Sequence, residues 1–181
     1  MFMDIGKISY MPAIFVIGRP SSGKSSVTSL LVDKFNKQKF SPIGRAALID
    51  ADHLAEFSLM PDKGDFSINA RTNRAKHLLK IVSWISSTGL VPVVAAIGQP
   101  SKVRTLWKES IPNYFEVYLN VDLKTCTDRD YKGTYKLNNV IGKDLPFEEP
   151  RTSDLILNAC KYSAEEISTS IYSQIIKRFS S

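Results

Sequence analysis

Residues 18–25 read Gly-Arg-Pro-Ser-Ser-Gly-Lys-Ser and satisfy G-x-x-x-x-G-K-[ST] at every fixed position, the pattern of a phosphate-binding loop. The chemistry this implies is anion binding followed by phosphoryl transfer. Gly18 and Gly23 permit backbone torsions that a side chain would forbid. The loop's N–H groups can then point inward around an anion, backed by the positive end of a helix. Lys24 supplies a mobile cation for the β- and γ-phosphates of ATP, and the Ser25 hydroxyl can ligate Mg²⁺. Ser21, Ser22 and Ser26 complete the nucleotide-binding set. A second group with chemistry is Asp50-Ala51-Asp52, which follows the apolar run Ala46-Ala47-Leu48-Ile49. Carboxylates just past a strand's carboxyl end lie where open α/β sheets bind ligands. A phosphoryl-transfer enzyme needs one there to orient or deprotonate the attacking hydroxyl. Asp52 can instead serve only as the cap of a helix beginning near His53; the neighbouring phosphate loop favours the catalytic role.

A third cluster, Arg71, Arg74 and Lys76 with His77 following, opens a helix expected over about 69–86. It is either a site for an anionic substrate or a solvated face. The preceding stretch 56–68, with Pro61 and Gly64, is a loop able to move over substrate, which favours the first.

These groups need a scaffold. Ala13 to Ile17 is a short apolar run that reads as a buried strand, and Val27, Leu30, Leu31 and Phe35 then recur at helical spacing. Strand, loop and helix stand in the order a phosphate loop requires. Further strands are expected at 46–49, 91–97, 115–120 and 155–157, with helices at 101–109, at 123–129 and after Ser163. Ser163 and Glu166 form a capping box, and Ile167, Ile171 and Ile175 give the last helix its core stripe. Strands alternating with helices imply a three-layer α/β/α sandwich of the P-loop NTPase type, with a mainly parallel five-stranded sheet. Residues 130–150, rich in lysine, glycine, proline and asparagine, read as a lid or substrate loop rather than core.

At 181 residues the chain is expected to form one domain, with residues 1–12 as a short extension. Charged content of 23% and a formal charge of +6 suit anionic ligands, but the basic residues are scattered. The absence of a basic stripe with interleaved aromatics argues against nucleic acid. No apolar run reaches the ~18 residues of a membrane span, and the first residues lack a signal peptide's apolar core. Cys126 and Cys160 have neither metal-ligand nor disulfide spacing, so a cytoplasmic protein with reduced thiols is expected.

Taken together, the motifs resemble those of adenylyl-sulfate kinases over nearly the whole chain. Leu48-Ile49-Asp50-Ala51-Asp52 is similar to the family's L-D-G-D-N, and Asp65-Phe66-Ser67 with Arg71 to its G-F-S-x-x-D-R. Phe115 to Asn120, then Arg129-Asp130-x-Lys132-Gly133-x-Tyr135-Lys136, resembles F-E-V-Y-L and R-D-x-K-G-L-Y-K. Asp144 to Pro150 resembles D-D-P-Y-E-x-P. The resemblance implies transfer of the γ-phosphate of ATP to the 3′-hydroxyl of adenylyl sulfate. It implies Asp52 as catalytic base, assisted by Lys24, with Arg129 near the ATP phosphates. On the acceptor side it implies Asp50, Phe66 (stacked on the base), Arg71, Arg74, Ile97 and Lys132. Homodimers are common among such kinases, though no residue here demands one.

The departures gather on the acceptor side. The family's arginine in L-D-G-D-N-x-R is Ala55, an asparagine is Arg74, an arginine is Lys76, and the serine of F-I-S-P is Gln99. The aromatic residue of K-G-F-T-G, which closes the second face of an adenine sandwich, aligns with Val140, in a shorter loop. Losing one stacking face costs ~1–3 kcal/mol. Two alternatives therefore stand beside adenylyl sulfate. One is a 3′-kinase for another activated nucleotide, such as the cytidine diphosphoramidate of capsule biosynthesis; the other is a non-catalytic nucleotide-binding protein.

Overall fold

The computed structural model describes residues 11–38, 42–62 and 64–179. The expected N-terminal extension up to residue 10 lies outside them.

The sheet is built around β1 (Ala13–Ile17), whose five residues are all buried. Ile14 and Val16 face one core cluster while Ala13, Phe15 and Ile17 face the other. Burial on both faces is why the strand is a continuous apolar run instead of an alternating one. It is flanked by β2 (Ala46–Asp50), β3 (Val91–Ala96), β4 (Tyr114–Asn120) and β5 (Leu155–Asn158) in the order β2-β3-β1-β4-β5. All four pairings are parallel, with Ile14 beside both Val93 and Phe115.

On one face α1 (Lys24–Lys37) packs against α6 (Ala164–Phe179), through Val27, Leu31 and Phe35 on the first and Ile167, Ile171 and Ile175 on the second. The capping box at the start of α6 is formed: Glu166 N donates to Ser163 Oγ at 3.2 Å, and Ser163 N donates to Glu166 Oε2 at 2.8 Å. The other face carries α3 (Ile68–Ser87) and α4 (Ser101–Ser110), which bury Ala75, Leu78, Val82, Val103 and Trp107. Ser67 caps α3, its Oγ accepting from Ala70 N at 3.2 Å. The two short helices are α2 (Ala51–Glu56), directly after β2, and α5 (Leu123–Asp128), after β4.

Two local expectations differ. The first helix turn after β2 begins at Ala51, because Asp50 and not Asp52 is the cap. The stretch 130–150 is partly core: Tyr135, in a 3-10 turn at Thr134–Lys136, and Val140 both join the α1/α6 cluster. Residues 136–139 between them are exposed. Single apolar anchors without a helix or strand period hold this segment. Both cysteines are free thiols, Cys126 buried and Cys160 exposed. None of the helices among the described residues is long and apolar enough to cross a membrane.

Successive strands lie to one side of β1 (β2 and β3) and then to the other (β4 and β5). The crevice at the carboxyl end of β1 is therefore the switch point where such sheets bind ligands. The phosphate loop emerges there.

Candidate active site

The loop leaves β1 at Gly18 and enters α1 at Lys24. Close approach sets the first glycine: a Cβ at Gly18 would lie 2.7 Å from Ser22 Oγ and 3.0 Å from the Leu119 carbonyl oxygen. The second, Gly23, has φ +94°, a left-handed conformation that glycine adopts without steric cost. Lys24 is 9% exposed, and its Nζ donates to the Arg19 carbonyl at 2.7 Å. Burial pushes the Lys24 ammonium below its ordinary pKa of 10.5, while Asp52 and then Asp50 pull upward and Lys132 adds a smaller downward push. Both carboxylates and a second cation thus act on the same ammonium.

Ser25 Oγ donates to Asp50 Oδ2 at 2.6 Å, and Asp52 N donates to Asp50 Oδ1 at 2.9 Å. Asp50 is buried and has both oxygens engaged. Asp52 is exposed on the first turn of α2. Ser22 Oγ is buried without a hydrogen-bond partner. The Ser25 hydroxyl and Asp50 carboxylate set hard oxygen donors side by side beside the phosphate loop, which suits Mg²⁺; that ion takes one or two protein oxygens and completes its octahedron with phosphate and water. Among the described residues no group of three or more His, Cys, Asp or Glu gathers as for an all-protein metal cage.

A cavity of about 390 Å³ opens beside the loop. Pro20 and Asp52 line it, as do Phe66, Arg71 and Arg74 from the α2–α3 connection and α3, Ile97 to Gln99 beyond β3, and 137–141. Phe66 is 47% exposed, whereas Trp107, which also lines the cavity, is 2% exposed, with Nε1 donating to Ala75 O at 3.2 Å. Phe66 is therefore the one lining aromatic among the described residues that offers an open ring face. Arg74 donates to Asp62 O at 2.7 Å. Burial lowers its pKa from the ordinary 12.5, against the upward pull of Asp62 and Asp65. The Arg71 Nε reaches Ser67 O at 3.5 Å. Ala55 and Val140 line the cavity where the resemblance implied an arginine and an aromatic ring.

Asp52, Phe66, Arg71, Arg74 and Ile97 are thus brought to one cavity, while Asp50, Lys132 and Lys76 are not among its lining residues. Asp50 faces Ser25 instead. Lys132 is exposed near enough to Lys24 to act on it electrostatically. Arg129 donates to the Ala159 carbonyl at 3.0 Å. Ser21 Oγ donates to Asp130 Oδ1 at 3.1 Å, and Tyr135 closes the loop from outside, its N–H bonding Asp130 Oδ2 at 2.7 Å and its hydroxyl bonding Pro20 O at 3.1 Å. Ser26 is exposed in the first turn of α1.

Arg19 and Gln99 are the residues whose engagement spacing does not reveal. Arg19 occupies a variable position of the loop motif, yet its guanidinium pairs with Glu149 at 3.0 Å and lies 4.4 Å from the Phe147 ring centroid. Gln99, 5% exposed, pairs through both ends of its amide with the Glu148 backbone. The signal available in sequence was the Phe147-Glu148-Glu149-Pro150 run, a motif with no partner assigned to it.

Residues 11–158 match the adenylylsulphate kinase family. A cytidine diphosphoramidate kinase of Campylobacter jejuni is 26% identical over 161 residues, covering 84% of this chain and 89% of the relative. An adenylyl-sulfate kinase of Thermodesulfovibrio yellowstonii is 29% identical over 154 residues, covering 80% of this chain and 73% of the relative. The fold superposes with a TM-score of 0.81 on an APS kinase of Mycobacterium tuberculosis solved in complex with AMPPNP and APS, at 24% identity over 93% of this chain and 98% of the other.

Proposed function

The chain belongs to the adenylylsulphate kinase family and is a phosphotransferase; from that premise we propose that it transfers the γ-phosphate of ATP to the 3′-hydroxyl of an activated nucleotide. The observation that carries this reading is a cavity with Asp52 at its edge beside the phosphate loop and Phe66, Arg71 and Arg74 in its lining. A base can stack on Phe66, and the two guanidinium groups can hold an anionic 5′ group. The reaction is in line. The 3′ oxygen forms a bond to the γ-phosphorus as the bond to the β–γ bridging oxygen breaks, ADP leaves, and the hydroxyl proton passes to the Asp52 carboxylate. Lys24 offsets the charge that builds on the phosphates. Ser25 and Asp50 would hold Mg²⁺, which when bound neutralises the β- and γ-oxygens. In this reading Arg129 acts near the ATP phosphates and Lys132 at the acceptor, and closure of 130–150 excludes water.

The acceptor we assign is a pyrimidine nucleotide of the cytidine diphosphoramidate kind. The cavity offers one open aromatic face, and the position opposite in the resemblance is Val140, 6% exposed and packed into the core. A single face suits a small base, and the first relative acts on such a substrate by its name. Adenylyl sulfate is the second reading, favoured by the motif set and by the other relatives. We place the enzyme in the cytoplasm, acting on small nucleotides and not on nucleic acid. The test is initial-rate ADP release from Mg-ATP with adenosine 5′-phosphosulfate, cytidine diphosphoramidate, CDP and nucleoside monophosphates as acceptors. Preference for a cytidine compound supports the assignment. Preference for adenosine 5′-phosphosulfate overturns it in favour of the second reading, and turnover independent of every acceptor removes the kinase reading.

A further inference from the structure

We infer that Arg19 is a positioning residue that ties the nucleotide loop to the wall of the acceptor cavity through Phe147-Glu148-Glu149, so that a nucleotide bound at the loop is felt at that wall. The inference rests on reading the cavity as the acceptor site. Its first link is Lys24, whose ammonium bonds the Arg19 carbonyl at 2.7 Å. A phosphate that draws Lys24 to itself competes for that bond, so ligand binding bears directly on the Arg19 peptide. The Arg19 side chain runs away from the loop. It donates to Val121 O at 3.2 Å and Glu149 Oε1 at 3.0 Å, and its guanidinium lies over the Phe147 ring. Phe147 stacks in turn on Tyr118, with centroids 6.0 Å apart.

The next link is Glu148. Gln99 Nε2 donates to Glu148 O at 2.8 Å, and Glu148 N donates to Gln99 Oε1 at 3.1 Å. Two bonds from one planar amide fix both the position and the rotation of that backbone. Ser101 N donates to Glu148 Oε2 at 3.2 Å, and Arg104 donates to Gly98 O at 2.9 Å. Ile97, Gly98 and Gln99 are themselves cavity wall. An unbroken set of short contacts thus joins the cation nearest the phosphates to the surface facing the acceptor. Contiguity alone does not make coupling; a second arrangement is also needed. Arg19 Nε is buried without a partner, so the present arrangement leaves a donor unsatisfied, and such a group disfavours the state that holds it.

The experiment is hydrogen–deuterium exchange of the full chain with and without saturating Mg-ADP, a probe that needs no acceptor. In the wild type, Mg-ADP slows exchange about 5-fold or more in peptides covering 97–104 and 147–149, as well as in the loop. Arg19→Lys and Glu149→Gln bind Mg-ADP and protect the loop but lose the slowing at both remote segments. Gln99→Leu keeps it at 147–149 and loses it at 97–104, an order that a merely structural clamp would not produce. Absence of remote slowing in the wild type, or its persistence in Arg19→Lys, overturns the inference. Failure of the wild type to bind Mg-ADP overturns the nucleotide-site reading with it, whereas the acceptor assignment stands or falls on the acceptor panel alone.

Discussion

Replacing Phe66 with alanine removes the open ring face of the proposed acceptor cavity. Because the ring is 47% exposed, its truncation opens no internal void, and the fold should lose no more than about 0.5 kcal/mol. Binding is another matter. A base stacked on an aromatic ring gains about 1–3 kcal/mol, and at about 1.4 kcal/mol per tenfold that is roughly a 5- to 150-fold loss of acceptor affinity. Stacking is made equally in the ground and transition states, so the loss belongs in the acceptor KM and not in kcat. Initial rates of ADP release, with acceptor varied at saturating Mg-ATP and then the reverse, separate the two. The expected result is a raised acceptor KM with kcat and the KM for ATP nearly unchanged, and recovery in Phe66→Tyr, which restores the ring. An unchanged acceptor KM, or a KM for ATP that rises in parallel, refutes the stacking role.

Asp52→Asn should leave Mg-ATP binding intact and lower kcat by about 10²–10⁴-fold; a near-normal kcat in single-turnover measurements would remove Asp52 as the base. In the proposed reaction the phosphate is held by the ionised form of Lys24, whose pKa is depressed by burial from 10.5. That form is lost as pH rises through the depressed value, so the alkaline limb of kcat/KM for ATP falls below 10.5. Asp52→Asn moves the limb lower still, because the Asp52 charge supports the ammonium; a limb that stays at the ordinary lysine value refutes this. Ile171→Ala deletes a fully buried side chain between α6 and α1, at a cost of about 2–5 kcal/mol. In a chain of this size that lowers Tm by about 4–20 °C with kcat preserved well below the transition, and a melting curve unchanged by the substitution contradicts the packing described.

Much of this was legible because local rules and the tertiary structure agree. Gly18, Gly23 and Lys24 are bound by one loop's torsions, and Ser163 with Glu166 by one helix start, so a short window holds all the information. Arg71 and Arg74 sit about one turn apart on α3 and Phe66 lies just before its Ser67 cap, so one short window brings all three to the cavity. Asp50 and Asp52 flank one alanine and differ in which meets Ser25 and which lines the cavity; the helix start at Ala51 decides that, and no local pattern announces it. The contacts of Arg19 with Glu149 and of Gln99 with Glu148 join residues far apart in the chain through hydrogen bonds rather than apolar periodicity. No window rule registers them. Tyr135 and Val140 were hidden for a related reason: isolated apolar residues in a polar segment look like loop until the site they plug into is known.

The chain's two tryptophans occupy opposite environments. Trp84 on α3 is 66% exposed, while Trp107 on α4 lines the cavity beside the phosphate loop at 2% exposure, its ring centroid 4.8 Å from that of Phe15. A dissolved quencher such as iodide collides with the first and is screened from the second. The emission that survives quenching therefore comes from the cavity floor. In a Trp84→Phe enzyme all tryptophan emission would come from there, giving an unlabelled optical signal for acceptor capture in stopped flow, separate from ATP turnover.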